Sequence, residues 1–140
     1  MIFEGKLVND KRIDVAFVAV EKALMALKVA LDKPVEEDRV NVDAAIRRFC
    51  FSVDFFLKLL KRILATKGVE KQYPRDVLAQ AYAGSLIGDE TLWLSMLQDR
   101  NLTSHTYNED LAMEIYANIK TYYPELKKTV DCLKKQYAQK

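Results

Sequence analysis

The chain has 140 residues, half of them hydrophobic and 30% charged, with a formal net charge of +2 at pH 7. This length fits one domain with its own core and is short for two, and so small a net charge does not require nucleic acid or an acidic surface as a partner. With one histidine and two cysteines, Cys50 and Cys132, the sequence predicts no disulfide framework and no metal site, and we expect no cofactor.

Targeting and membrane signals are not found in the sequence. Residues 1–12 contain no apolar segment of signal-peptide length, and no apolar run approaches the length of a membrane span. We therefore expect a cytoplasmic protein with no membrane partner. Since no internal repeat or low-complexity segment divides the chain, residues 1–140 are expected to form a single helical domain.

The first half of the sequence predicts two long helices. Apolar residues spaced three and four positions apart indicate a first helix over residues 10–32, which ends before Pro34 because the residue preceding a proline is pushed out of the α region. The same periodicity predicts a second helix over residues 38–67, with Gly68 as its carboxyl-terminal cap.

The second helix carries apolar residues on more than one side. Besides its main seam it has a further stripe formed by Phe51, Phe55 and Leu59. A helix of this kind is either central within the monomer or in contact with a second subunit, and the sequence leaves both interpretations open.

Two shorter helices are predicted in the middle of the chain. Pro74 suits the first position of a third helix over about residues 75–86, because its missing N–H needs no partner there. Asp89 follows Gly88 and is expected to be the N-cap of a fourth helix that contains Trp93.

The last part of the chain predicts one more helical region. Thr106 and Glu109 have the spacing of a capping box, so this region is expected to begin near residue 108, and Pro124 is expected to kink it or divide it in two. No strand pattern competes anywhere. The predicted fold class is all-α, an antiparallel bundle of about five helices with short connections.

The polar segment RNLTSHTY, residues 100–107, contains the only histidine of the chain. In a straight α-helix Arg100 and His105 would point about 140° apart, since each residue turns the helix by about 100°. The segment is rich in weak helix formers, so we expect a corner in which Arg100 ends one helix and His105 and Tyr107 follow the break. The two groups would then converge around the bend or across the two-fold axis of a dimer.

The residue types of this corner suit phosphate chemistry. Arginine carries a permanent planar charge that binds phosphate oxygens, and histidine titrates near neutral pH. In RNA the 2′-hydroxyl is a built-in nucleophile, so one proton-transfer group and one charge stabiliser suffice without a metal. A purely structural corner, in which Arg100 pairs with an acid and His105 satisfies a helix end, is the alternative.

The strings WLSMLQDRNLTSHTY, residues 93–107, and FCFSVDFFLKLLK, residues 49–61, are similar to those of a known family. Together with the R-x4-H-x-Y pattern they resemble the HEPN domains, specifically the HepT-type and nucleotidyltransferase substrate-binding branch. The resemblance extends over nearly the whole chain. It implies a five-helix, HEPN-like bundle that forms a homodimer, with the motif of each subunit near the dimer groove.

The resemblance also implies a partner and a chemistry. The partner is a minimal (MNT-type) nucleotidyltransferase encoded nearby. In the toxin–antitoxin versions the HEPN protein is a metal-independent endoribonuclease, which the nucleotidyltransferase neutralises by binding it and by transferring AMP to the motif tyrosine. Carried over by residue, Arg100 and His105 are the catalytic pair, Tyr107 is the adenylylation candidate, and Asn101 and Ser104 support the corner.

Three functions stay open at the level of the sequence. The favoured one is a ribonuclease toxin that cleaves single-stranded RNA. The second is a non-catalytic subunit that binds a substrate or nucleotide for the nucleotidyltransferase, and the third is a helical interaction module. Basic residues of the second helix line an RNA groove in one interpretation and form a solvated face in the other; they are Arg47, Arg48, Lys58, Lys61 and Arg62.

Overall fold

The computed structural model describes residues 11–35 and 39–138, and these fold into five α-helices without a strand. The helices are α1 (Lys11–Asp32), α2 (Val40–Thr66), α3 (Pro74–Ala83), α4 (Glu90–Leu102) and α5 (Glu109–Tyr137), with one 3₁₀ turn at Thr103–His105. The predicted all-α, five-helix fold is confirmed. Among the described residues, no helix is both long and apolar enough to cross a membrane.

The first two helices form an antiparallel pair, and α5 packs against both of them. Their opposite directions are visible at two hydrogen bonds, where Arg62 Nη1 donates to the Arg12 carbonyl (2.7 Å) and Arg48 Nη1 donates to the Ala26 carbonyl (2.8 Å). The main apolar seams predicted for the helices face inward and form one continuous core.

Aromatic contacts join α4 and α5 to α2. Phe56 of α2 meets Trp93 of α4 edge to face, with ring centroids 4.9 Å apart, and Phe49 stacks on Tyr122 of α5 at 5.7 Å. Such pairs bury large areas and are stabilising beyond their burial. They place α4 and α5 on one side of α2.

The residues of the second apolar stripe of α2 differ in their burial. Leu59 is fully buried, whereas Phe55 is half-buried and Phe51 remains 43% exposed. The two phenylalanines line an apolar groove of about 450 Å³ between α1 and α2. Simple burial within the monomer therefore accounts for only one residue of the stripe.

Three helix ends form as predicted. Pro74 is the first residue of α3, Asp89 Oδ1 accepts the Leu92 N–H (3.0 Å) at the start of α4, and Gly68 follows the end of α2 with φ of 80°. Glycine suits that left-handed backbone because it has no Cβ to clash. The third helix ends at Ala83, three residues earlier than predicted.

The capping box predicted for α5 is wrong. Asn108 is the N-cap, and its side-chain oxygen accepts the Leu111 N–H (3.0 Å). The hydroxyl of Thr106 instead donates to the Thr103 carbonyl (2.9 Å), because the chain still turns at that point. The helix begins one residue after the predicted start.

Of the two outcomes predicted at Pro124, the division is wrong, since α5 runs through this residue as one helix, and the kink stays a prediction. Proline has no N–H, so the carbonyl of Lys120 loses its partner in the helical ladder. Lys120 and Pro124 are both exposed, which leaves that carbonyl accessible to water. The buried stripe on the other side of α5 holds the helix together across the defect.

Replacing Pro124 with alanine restores this hydrogen bond and removes the steric clash of the ring. We expect Pro124→Ala to raise the free energy of unfolding by about 1–3 kcal/mol in urea denaturation. Lys128→Ala, at an exposed position one turn further along α5, should change it by less than about 0.5 kcal/mol. An unchanged or lower stability of Pro124→Ala would show that the proline is not a defect here.

Candidate functional site

The RNLTSHTY segment forms the junction between α4 and α5. Arg100 lies in the last turn of α4, and His105 ends the 3₁₀ turn that follows it. The predicted break between the two residues is therefore present. Arg100 and His105 do not hydrogen bond to each other within the described chain, so the corner does not join the two side chains directly.

Hydroxyl groups fix the path of the corner. Thr103 Oγ1 donates to the Arg100 carbonyl (2.7 Å), and the Cys50 thiol of α2 donates to Thr103 Oγ1 (3.1 Å). The Asn108 N–H donates to the His105 carbonyl (3.1 Å) just before α5 begins. Burial raises the pKa of the Cys50 thiol, so this side chain is a neutral donor at physiological pH.

The guanidinium of Arg100 is held by Asp54 of α2. Nε donates to Asp54 Oδ1 (2.7 Å) and Nη2 donates to Oδ2 (2.9 Å), a two-point contact that fixes the plane of the group. This hydrogen bond raises the pKa of Arg100. Because the side chains are 36% and 44% exposed, respectively, the pair lies at the surface and the rest of the guanidinium faces solvent.

Asp54 is the site residue that sequence reasoning missed. It lies 46 positions before Arg100, and its neighbours in the sequence are apolar. The available signal was its isolation, because it is the only acidic residue between Asp43 and Glu70. A single carboxylate in the apolar and basic part of α2 that follows Asp43 suggests a specific partner.

His105 and Tyr107 lie side by side at the outer edge of the corner. Their rings meet edge to face with centroids 6.1 Å apart, and Tyr107 is 84% exposed. His105 is exposed as well. The imidazole and the phenol hydroxyl are therefore both accessible to a large molecule.

Neither of the two predicted supporting residues hydrogen bonds to this pair within the described part of the chain. Ser104 is exposed, and Asn101 lines a separate surface groove with Arg75 and Gln98. Their predicted roles at the corner have no hydrogen bond behind them in the described residues.

Asp99, the residue before Arg100, anchors the end of α4 to α5. Asp99 Oδ2 accepts the hydroxyl of Tyr122 (2.7 Å) and the amide of Asn118 (3.0 Å). Burial, together with this hydrogen bond, raises the pKa of Tyr122. The hydroxyl stays protonated and donates throughout the physiological range.

The basic residues of α2 do not form one groove. Arg48 lines the apolar groove, and the guanidinium of Arg47 lies over the Phe51 ring, 5.1 Å from its centroid. Only Lys61 and Arg62 line a distinctly basic groove, near the end of the helix. As for metals, residues 11–35 and 39–138 contain no group of three side chains arranged to hold an ion.

Comparisons with known proteins show which family the chain resembles. Residues 15–135 match the family described as nucleotidyltransferase substrate binding protein like. A Haemophilus influenzae protein named probable ribonuclease HepT is 30% identical over 122 residues, which cover 81% of this chain and 83% of that protein.

Solved structures agree with the family match. A protein of Thermus thermophilus is 34% identical, with a TM-score of 0.75 over 81% of this chain and 98% of its own. The Haemophilus influenzae protein HI0074, described as having the fold of a substrate-binding domain of a nucleotidyltransferase, is 28% identical, with a TM-score of 0.63 over 85% of this chain and 94% of its own. The chain therefore belongs to the nucleotidyltransferase substrate-binding protein-like family and is of the HepT type.

Proposed function

We propose that the protein is the HEPN toxin-like component of a toxin–antitoxin pair, a homodimeric, metal-independent endoribonuclease that cleaves single-stranded RNA. Arg100 and His105 are its catalytic residues, and an MNT-type nucleotidyltransferase encoded nearby neutralises it. The observation that carries the proposal is the corner itself, where an oriented guanidinium at the end of α4 is followed within five residues by an exposed imidazole. The similarity to a probable ribonuclease HepT supports the same chemistry.

The chemistry needs one charge stabiliser and two proton transfers. A base removes the proton from the 2′-hydroxyl, the 2′-oxygen attacks phosphorus, and the bond to the 5′-oxygen breaks as that oxygen receives a proton. The products are a 2′,3′-cyclic phosphate and a 5′-hydroxyl. The guanidinium N–H groups of Arg100 that Asp54 does not engage bind the phosphate oxygens as charge develops on them.

Each chain has only one histidine, and a dimer supplies two, one for each proton transfer. A surface suited to a second copy lies beside the site. Val15, Val18, Met25 and Val29 form a row on α1, between 50% and 69% exposed, and their spacings of three, seven and four residues are those of helix-pairing seams.

This apolar row leads towards the corner. Val15 and Val18 line the apolar groove together with Phe51, and Phe51 lies three residues before Asp54 on the exposed face of α2. A second copy docked on the row would therefore stand next to the Asp54–Arg100 pair.

A non-catalytic role is the second candidate. The family description and the solved structure of HI0074 both refer to substrate binding for a nucleotidyltransferase. In that function Arg100 and His105 would hold a nucleotide or another phosphate-bearing substrate and cleave nothing.

The ribonuclease function predicts that the chain expressed without its nucleotidyltransferase arrests growth. His105→Ala and Arg100→Ala should relieve the arrest, and each should lower cleavage of single-stranded RNA in EDTA by at least about 100-fold, because proton transfer and charge stabilisation each contribute on that order. Thr121→Ala, at an exposed position on α5, is the control and should keep the arrest.

One specific result would contradict the ribonuclease function. If wild type and His105→Ala are both harmless and the purified protein leaves RNA intact, the ribonuclease function fails. Thermal stabilisation of that protein by a nucleotide would then support the substrate-binding subunit, since a ligand that binds only the native state raises its stability.

Asp54 is expected to act as a positioning residue for Arg100. Asp54→Asn removes a charged two-point acceptor at the surface, so we expect it to lower kcat about tenfold while KM and the thermal midpoint change little. Asp54→Glu should restore part of kcat. Full kcat in Asp54→Asn would show that the ion pair does not orient the guanidinium.

Tyr107 is the proposed site of AMP transfer. Its hydroxyl oxygen would attack the α-phosphate of ATP on the nucleotidyltransferase, with release of pyrophosphate, and the new anionic group would block Arg100 and His105. Tyr107→Phe should gain no adenylyl group by mass spectrometry and should escape neutralisation by modification. Tyr73, which is 71% exposed, provides the matched control, and Tyr73→Phe should still be modified. Equal modification of both variants would place AMP elsewhere.

A further inference from the structure

A basic groove lies apart from the corner, where α2 ends and the connection to α3 begins. It has a volume of about 850 Å³ and its charged lining consists of Arg12, Lys61, Arg62 and Lys71, with Glu70 as the one carboxylate. Lys61, Arg62 and Lys71 outnumber the one carboxylate of this lining, and the excess of positive charge attracts anions.

The lysines of the groove are available to a ligand. Neither Lys61 nor Lys71 forms an ion pair with a residue that the structure describes. Arg62, by contrast, is fixed in place, since its Nη1 donates to the Arg12 carbonyl (2.7 Å). The groove thus combines one positioned guanidinium with two ammonium groups that form no ion pair with a described residue.

The groove is in line with the corner along α2. Lys61 follows Asp54 by seven residues, which is about two helical turns and about 10.5 Å along the axis on the same face. The exposed Lys58 lies between them. At about 3.4 Å per stacked nucleotide, this distance corresponds to about three nucleotides.

We propose that this groove binds the backbone phosphates of single-stranded RNA about three nucleotides away from the bond cleaved at the corner. The proposal rests on the proposed function and extends it, because Lys61, Arg62 and Lys71 would hold the strand without reading its bases. Continuity of charge through Lys58 favours a polymer over a single nucleotide, which would occupy only one end of this path.

The test is an RNA-binding titration of the full chain carrying His105→Ala, so that binding is measured without cleavage. Adding Lys61→Gln and Lys71→Gln should weaken binding of a short single-stranded RNA about tenfold. It should also reduce the slope of log Kd against log salt by about 1.4, because each lost phosphate contact removes about 0.7. A control with the same change in net charge, Lys33→Gln with Lys120→Gln, should stay within about twofold of the parent in Kd.

The outcomes separate this proposal from the proposed function. If wild type cleaves RNA but the Lys61/Lys71 variant keeps the parent Kd and salt slope, the groove proposal fails and the ribonuclease function stands. If wild type cleaves no RNA and the His105→Ala protein binds none, the proposed function fails and the RNA ligand fails with it. If the variant binds RNA normally but no longer binds the nucleotidyltransferase, the groove is a protein interface and the proposal is overturned.

Discussion

Two adjacent residues of opposite charge, Asp99 and Arg100, bind the carboxyl end of α4 to α5 and α2. The candidate site depends on these contacts. Asp99 accepts hydrogen bonds from Tyr122 and Asn118 of α5, while Arg100 donates twice to Asp54 of α2. Consecutive residues of a helix point in different directions, so a single turn of α4 can bind both helices at once. The last turn is therefore fixed from two sides before the chain enters the corner.

The contacts of Asp99 and Arg100 explain how a candidate site at the surface can be ordered. His105 and Tyr107 are exposed and lie on a short turn, which alone would give them little positional constraint. The turn is tied to α2 through Cys50 and Thr103 and is followed directly by the cap of α5. Rigid helices on both sides thus position two exposed side chains that solvent and a large molecule can reach.

The same exposed face of α2 links the parts of the proposed function. Phe51 at one point of the face borders the apolar groove, Asp54 holds Arg100, and Lys61 leads into the basic groove. A second copy would approach from the apolar side and RNA would extend towards the basic side. In the proposed function, one helix surface would serve assembly, catalysis and substrate binding at separate positions.

The features predicted correctly from the sequence are those that depend on residues close together in the chain. Helical periodicity indicated the five helices, and Pro74, Asp89 and Gly68 marked ends that depend only on neighbouring residues. The prediction failed where two local options compete or where packing decides. Asn108 rather than Thr106 is the N-cap of α5, and burial along α5 keeps the helix continuous through Pro124. Long-range pairing was beyond the sequence, because the bond between Asp54 and Arg100 joins residues 46 positions apart and no periodicity signals such a pair.

Cleavage of an RNA strand containing one 2′-deoxynucleotide, in the presence of EDTA, tests the central claim most directly. The account predicts that the protein cuts neighbouring bonds, leaves intact the bond that follows the deoxynucleotide, and produces 2′,3′-cyclic phosphate ends. Cleavage at the deoxynucleotide equal to that at its neighbours, or cleavage that requires a divalent metal, would contradict it.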